Sequence, residues 1–376
     1  MDRFVACFGE VEDPRALNRR HDFLEVVFVA LAAMLCGAED CTDMAAFARA
    51  KLASLREVVA LQHGPPSHDT FSRIFRLLAP EPFEAAFAKF TAAFAGALEG
   101  VVAIDGKALR GAYDRGRRAT PLHLINIWAA RARLVIGQRR APGRNEVLGA
   151  KQALALLRLE GCIVTADALH CRPDTAQAIL ATGADYALAV KANQPGLLSA
   201  AQALTAAVDP AQAATSGPSG GHNRFERRSA VVVDAHGINF PGLCAVARVE
   251  TWRASAAGPE VRTVRWYGLS RPLRAQEMLE VAAAHWTIEN QLHWVLDVSL
   301  KEDAARSRKD HAPQNLALLR KLALNLLRLH PDKASIKTKT KRAGWDDRFL
   351  FSLIAYGIER RFCPFFSRRL WKQVHS

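Results

Sequence analysis

Three carboxylates stand where they could do chemistry. Asp105 follows the apolar run Val101-Val102-Ala103-Ile104, and Asp167 follows Cys162-Ile163-Val164-Thr165-Ala166. Glu289 lies in a stretch of helical character, His285-Trp286-Thr287-Ile288-Glu289-Asn290. An acid closing a buried strand emerges at a sheet edge, where several can converge on a hard cation such as Mg²⁺. Ions held in this way lower the pKa of water and shield charge building up at phosphorus. The chain carries 51 Lys and Arg against 37 Asp and Glu, a net charge of +14, which favours a polyanionic partner. Two Asp and one Glu on so basic a chain point to phosphodiester chemistry on nucleic acid.

The elements that must position these acids follow from the pattern. Residues 1–98 read as a helical domain rich in Ala, Leu and Phe. Its most apolar run, 23–38, is short for a bilayer and contains Glu25, so a buried helix is expected rather than a membrane span. Pro65-Pro66 and then Ser67 or Asp69 as N-cap start a further helix, which suits either a DNA groove or the core. A strand is expected to end at Asp105, with Gly106-Lys107 as its turn. Strands follow over 122–129 and 133–138, then a helix over 145–160 stopping at Gly161. A fourth strand runs into Asp167, a helix spans 172–182, and a fifth strand covers 185–191.

The succession β-β-β-α-β-α-β is the one used by a ribonuclease-H-like domain, in which the first and fourth strands are neighbours. The fold class is therefore α/β: a ribonuclease-H-like mixed-sheet core over 99–195, with a helical N-terminal domain and a β-rich insertion over 196–279. The insertion opens with an Ala-rich helix and continues through a Gly/Ser-rich loop at 216–221 into strand-like runs. A core helix region over 280–330 carries Glu289. Residues 331–376 read as a basic tail, with eleven Lys and Arg against four Asp and Glu.

Each acid taken singly has an ordinary explanation. Asp105-Gly106 suits a turn, Asp167 caps a helix, and Glu289 is a solvated helix residue. Together, on neighbouring strands and one helix, they make a site. His285, Glu289, His293 and Asp297 recur every four residues and share one helical face. That spacing also suits zinc or a di-iron pair, but no second ligand-bearing helix accompanies it. DNA phosphates are expected at Lys107, Lys191, Asn193, His285 and His293, and along the tail at Lys337, Lys339, Lys341 and Arg342. Cys7, Cys36, Cys41, Cys162, Cys171, Cys244 and Cys363 form no CxxC pair, which suggests reduced thiols. With no secretory signal visible, a cytoplasmic, nucleoid-associated protein with no membrane partner is expected.

Several segments resemble a bacterial insertion-sequence transposase of the DDE class, in the branch that includes the H-repeat-associated proteins. They are His21-Asp22-Phe23, Leu35-Cys36-Gly37-Ala38-Glu39, Ser67-His68-Asp69-Thr70-Phe71, Ile104-Asp105-Gly106-Lys107, Val164-Thr165-Ala166-Asp167-Ala168, and Gly183-Ala184-Asp185-Tyr186 through Lys191-Ala192-Asn193-Gln194. The most specific is the block from His285 through Val298, followed by Glu302-Asp303; Ala343-Gly344-Trp345-Asp346-Asp347 fits as well. The resemblance implies Asp105, Asp167 and Glu289 as a catalytic, metal-binding triad for Mg²⁺ or Mn²⁺, two ions in number. It also implies double-stranded DNA as partner, both terminal inverted repeats and target, with a homodimer in the DNA complex. In such enzymes an activated water nicks the element's end and the freed 3′-hydroxyl attacks target DNA. Family members commonly carry Arg before the His-Trp pair, where this chain has Ala284. The rival readings are a decayed or repurposed DNA-binding copy and a nuclease of the same fold without strand transfer.

Overall fold

The computed structural model describes residues 2–16, 19–95, 98–113, 121–217, 219–221, 224–255 and 258–359. Six helices come first: α1 (Asp2–Phe8), α2 (Phe23–Leu35), α3 (Cys41–Ala50), α4 (Leu52–Leu55), α5 (His68–Leu77) and α6 (Pro80–Ala95). Three strands follow, β1 (Gly100–Tyr113), β2 (Pro121–Ala129) and β3 (Leu134–Arg140). Then come α7 (Glu146–Leu154), β4 (Cys162–Ala166), α8 (Pro173–Leu180), β5 (Asp185–Val190) and α9 (Pro195–Ala206). Strands β6 (Ala214–Thr215), β7 (Ser219–Gly221), β8 (Arg224–Asp234), β9 (Ala245–Ser255) and β10 (Gly258–Leu269) precede α10 (Ala275–His285). A π-helical turn (Ile288–His293) leads to α11 (Trp294–Val298), α12 (Ala312–Leu329), α13 (Ile336–Trp345) and α14 (Asp347–Glu359).

Two compact units divide the chain. One comprises Met1–Gly96, Gly111–Arg117 and Leu296–Ser376; the other comprises Ala97–Arg110 and Arg118–Val295. In the first unit, α2 is apolar on every side and buried almost throughout. Asp22 starts it by accepting the Glu25 N–H at 3.0 Å. Helix α12 packs on α2, α5 and α6. Ser67, rather than Asp69, caps α5 by accepting from the Thr70 N–H. Buried Phe71, Ile74 and Phe75 turn α5 into the core, so the core alternative holds for it.

The second unit is built on one mixed sheet in the order β3-β2-β1-β4-β5-β10-β9-β8-β6, with β7 paired to β8. Strands β2 and β3 are antiparallel, whereas β1, β4 and β5 run parallel. This is the ribonuclease-H-like arrangement, and it makes β1 and β4 neighbours.

Four expectations are corrected. Strand β1 does not stop at Asp105; Gly106 and Lys107 continue it, with Lys107 and Leu109 buried in alternation. Helix α7 ends at Leu154 rather than at 160. The inserted strands extend the core sheet instead of standing apart. Strand β10 pairs antiparallel with β5 from Trp266↔Val190 to Leu269↔Ala187, which covers an edge that would otherwise be open. The stretch expected as a basic tail is helical through Glu359, because Ala343, Phe349, Leu350, Leu353 and Ile354 are buried. Its remainder, 360–376, and Cys363 within it lie outside the described residues.

The insertion also seats the helix that leads to Glu289. Ala247, Val249, Tyr267 and Leu269 of β9 and β10 share one apolar cluster with Met278, Leu279, Val281 and Ala282 of α10.

Candidate active site

Register brings the two aspartates together. The last paired residues of β1 and β4 are Ile104 and Ala166, so Asp105 and Asp167 are the next positions on adjacent parallel strands. Asp105 Oδ1 accepts the Gly106 N–H at 2.9 Å. Asp167 is exposed and caps a single 3₁₀ turn, Ala168–His170, by accepting the Leu169 N–H at 3.1 Å. Capping and membership of an acidic group are therefore compatible in Asp167.

Glu289 is exposed on the π-helical turn, and its neighbours fix it over the strands. His285 Nδ1 lies 3.0 Å from Thr165 Oγ1 of β4. Trp128 Nε1 of β2 donates to Thr287 Oγ1 at 2.9 Å. His293 Nδ1 lies 3.5 Å from Asp105 Oδ2, with Asn126 Nδ2 3.3 Å from its other ring nitrogen. Anchors four residues before, two before and four after Glu289 thus hold a turn of unusual pitch. Such π turns inside helices are rare and cluster at functional sites.

The electrostatics gathers the acids. Burial pushes the Asp105 carboxyl up to about 7, and the charges of Glu289, Asp167 and Glu146 push the same way, against the Gly106 hydrogen bond. Sequence reasoning missed Glu146. It opens α7 directly after its N-cap Asn145, where a glutamate reads as ordinary complement to a helix dipole. Its Oε1 lies 2.9 Å from His123 Nε2. Buried His170 brings Nε2 to 3.9 Å from Glu146 and 4.0 Å from Asp167. Gly106 explains the closeness, since a Cβ there would stand 2.6 Å from both Glu146 Oε2 and His123 Nε2.

The donor set is hard, anionic oxygen, which suits Mg²⁺ or Mn²⁺ rather than a soft metal. Burial and then repulsion raise Asp105, and a cation relieves the repulsion, so the residues fit the group. As they stand, no three His, Cys, Asp or Glu side chains among the described residues close up into a ligand cluster.

Not all nine residues expected to meet DNA are free to do so. Burial pushes His285 down to about 4, which makes it a neutral anchor rather than a cation for phosphate. His293 is turned onto Asp105. Lys107 is buried within β1. Asn193 donates to the Ala168 carbonyl at 2.7 Å, tying the turn after Asp167 to the end of β5. Lys191 beside it is exposed. In the other unit, Lys337 and Lys341 are exposed, but Lys339 is buried with its ammonium on the carbonyls of Leu327 and His330. Arg342 is paired with Asp332 at 2.9 Å. A cation reaches the His285-Trp286 segment from β10, where the Arg265 guanidinium lies 4.9 Å from the Trp286 ring centroid.

The sheet order places the chain among ribonuclease-H-like proteins. Residues 96–326 match the family described as transposase DDE domain, and residues 5–91 match the one described as DDE_Tnp_1-associated. The chain belongs to the DDE transposase family and is an enzyme of that type. It is 30% identical over 357 residues to the protein YbfL of Escherichia coli K12, covering 91% of this chain and 94% of that one. It is likewise 30% identical over 351 residues to the "H repeat-associated putative transposase YhhI" of the same strain, covering 89% and 93%. A protein encoded in the dhlA 3′ region of Xanthobacter autotrophicus is 34% identical over 258 residues, covering 65% of this chain and 87% of that one. Among solved structures, the piggyBac transposase synaptic complex with hairpin DNA matches with a TM-score of 0.44 and 12% identity, covering 99% of this chain and 80% of that one. Membership implies DNA as partner and, as is general in the family, a divalent metal. No helix among the described residues is long and apolar enough to cross a membrane.

Proposed function

We propose that the enzyme cuts DNA at the terminal inverted repeats of an insertion sequence and joins the freed end to target DNA. Asp105, Asp167 and Glu289 are its catalytic residues and would hold two Mg²⁺ or Mn²⁺ ions. The observation that carries this reading is the half-buried Asp105 carboxyl, which register sets beside Asp167, with burial first and then Glu289, Asp167 and Glu146 raising its affinity for a proton. A carboxylate so placed is neutralised by a proton or by a bound cation, and a divalent ion shared with Asp167 and Glu289 would do so for all three.

The ions would polarise the scissile phosphate and lower the pKa of the attacking hydroxyl. The chain's own residues do the positioning. Parallel register sets Asp105 beside Asp167. His285, Thr287 and His293 hold the Glu289 turn against β4, β2 and β1. Lys191, at the end of β5, meets the phosphate backbone outside the acids, and exposed Lys337 and Lys341 do so in the other unit. Two copies act together in the DNA complex, one for each end, at the nucleoid.

The test is incubation of the purified chain with Mg²⁺ and a labelled duplex carrying the repeats that flank its gene. Nicked and strand-transfer products are expected, and Asp105→Asn should lose both while still shifting the duplex. Cleavage by Asp105→Asn at the wild-type rate would refute the assignment.

A further inference from the structure

The N-terminal ends of α7 and α8 enclose a cleft of about 350 Å³ next to the acids. That volume is at the small end of ligand pockets. Two of its lining residues belong equally to the site. Glu146 is packed against Gly106, and the Leu169 N–H donates to Asp167 Oδ1.

The lining combines two chemistries. Leu148 and Leu169 are large apolar side chains left exposed, 37% and 48% respectively. Around them stand charged groups, the cations Arg144, Lys151 and Arg172 outnumbering the carboxylates Glu146 and Asp174. Lys151 is engaged with Asp174 at 2.6 Å, which leaves Arg172 at 3.6 Å from that acid's other oxygen. Arg144 is exposed, and its guanidinium makes no hydrogen bond or ion pair among the described residues. Its backbone is left-handed, with φ of 66°, a conformation uncommon for a long side chain. The cleft thus holds one unpaired guanidinium, a second loosely held, and two bare leucines.

A bare phosphate would satisfy the arginines and leave the leucines in water. An apolar ligand would do the reverse. We infer that this cleft takes a nucleotide of the DNA strand being cut, its phosphate between Arg144 and Arg172 and its sugar or base on Leu148 and Leu169. The inference rests on the DNA-cleaving reading above. Apolar side chains serve as wedges against bases in other DNA-binding proteins, and guanidinium is the preferred partner of phosphate. Bound there, a nucleotide lies one turn of chain from Asp167, so the cleft sets which strand is presented to the acids.

The test measures binding alone, on protein carrying Asp105→Asn, so that cleavage plays no part. Added to that background, Arg144→Gly keeps the left-handed backbone and, with Arg172→Ala, removes both cations. Affinity for the repeat duplex should fall roughly tenfold, and the log–log salt slope should drop by about 1 to 2. Lysine at both positions should restore the slope, and Leu148→Ala with Leu169→Ala should lower affinity without changing it. Unchanged affinity and slope in the Arg144→Gly, Arg172→Ala protein, with unchanged thermal unfolding, would overturn the inference. Failure of the wild-type chain to cleave, with the slope change still seen, refutes the catalytic reading and keeps the cleft as a DNA-binding site.

Discussion

Positive charge is used differently in the C-terminal helices and around the acids. Two of the cations of α13 are structural: Lys339 donates to two carbonyls at 2.7 and 3.0 Å, and Arg342 lies 4.1 Å over the Phe349 ring while pairing with Asp332. Beside the acids, Arg144 and Lys191 are exposed and carry no such partner among the described residues. A surplus of lysine and arginine therefore does not map a DNA surface. What separates a binding cation from a structural one is whether the fold has already supplied its acceptors.

The comparison can be broken by substitution. The largest effect on folding is expected for Lys339→Ala, which strips the last carbonyls of α12 of a charged donor. A loss of about 3 kcal/mol is expected in urea unfolding. Lys191→Ala should leave unfolding unchanged, and equal destabilisation by the two would erase the distinction.

Gly106→Ala comes next. The new Cβ would push aside the ends of the Glu146 and His123 side chains, at little cost in stability but with Glu146 displaced from its place beside the acids. Cleavage should fall sharply while the far-ultraviolet dichroism is kept; wild-type turnover would show that Glu146 need not stay where it is. A smaller effect is expected for Lys337→Ala with Lys341→Ala, a uniform weakening of DNA binding with a salt slope reduced by about 1 for each ammonium removed. Deleting everything after 330 is a poorer experiment, since α13 and α14 pack on α12 and α2.

The smallest effect is one of pH. Burial, and then the Lys339 and Arg342 cations, hold His330 below its ordinary value of 6.5, with Asp332 opposing. The unfolded chain then binds more protons than the folded one just below pH 6.5, so stability should decline as pH falls through that point and through the lower folded value. His330→Gln should flatten that limb of the curve; an unaltered curve would remove His330 from it.

Much of the core was legible because strand-borne acids announce themselves. An apolar run ending in Asp is visible in one sequence, and the order of strands and helices predicts that β1 and β4 adjoin. The reach of β1 past Asp105 was not legible. Asp-Gly-Lys reads as a turn until Glu146 and His123, contributed by later elements, are seen to fill the space that a side chain at Gly106 would need. Glu146 itself was hidden by an ordinary role at a helix start. The histidines around Glu289 misled for a related reason. Fourfold spacing shows that they share a face but not that the face is turned to Thr165 and Asp105. Lys339 looks like its exposed neighbours in sequence, and only the ends of α12 make it structural.

The most direct test of the account is binding of Mn²⁺ to the DNA-free chain, followed by electron paramagnetic resonance of the unbound ion. Wild-type protein should take up the ion, and Asp105→Asn, Asp167→Asn and Glu289→Gln should each weaken uptake while the chain stays folded. A protein carrying all three substitutions that still binds Mn²⁺ as the wild type does would contradict it.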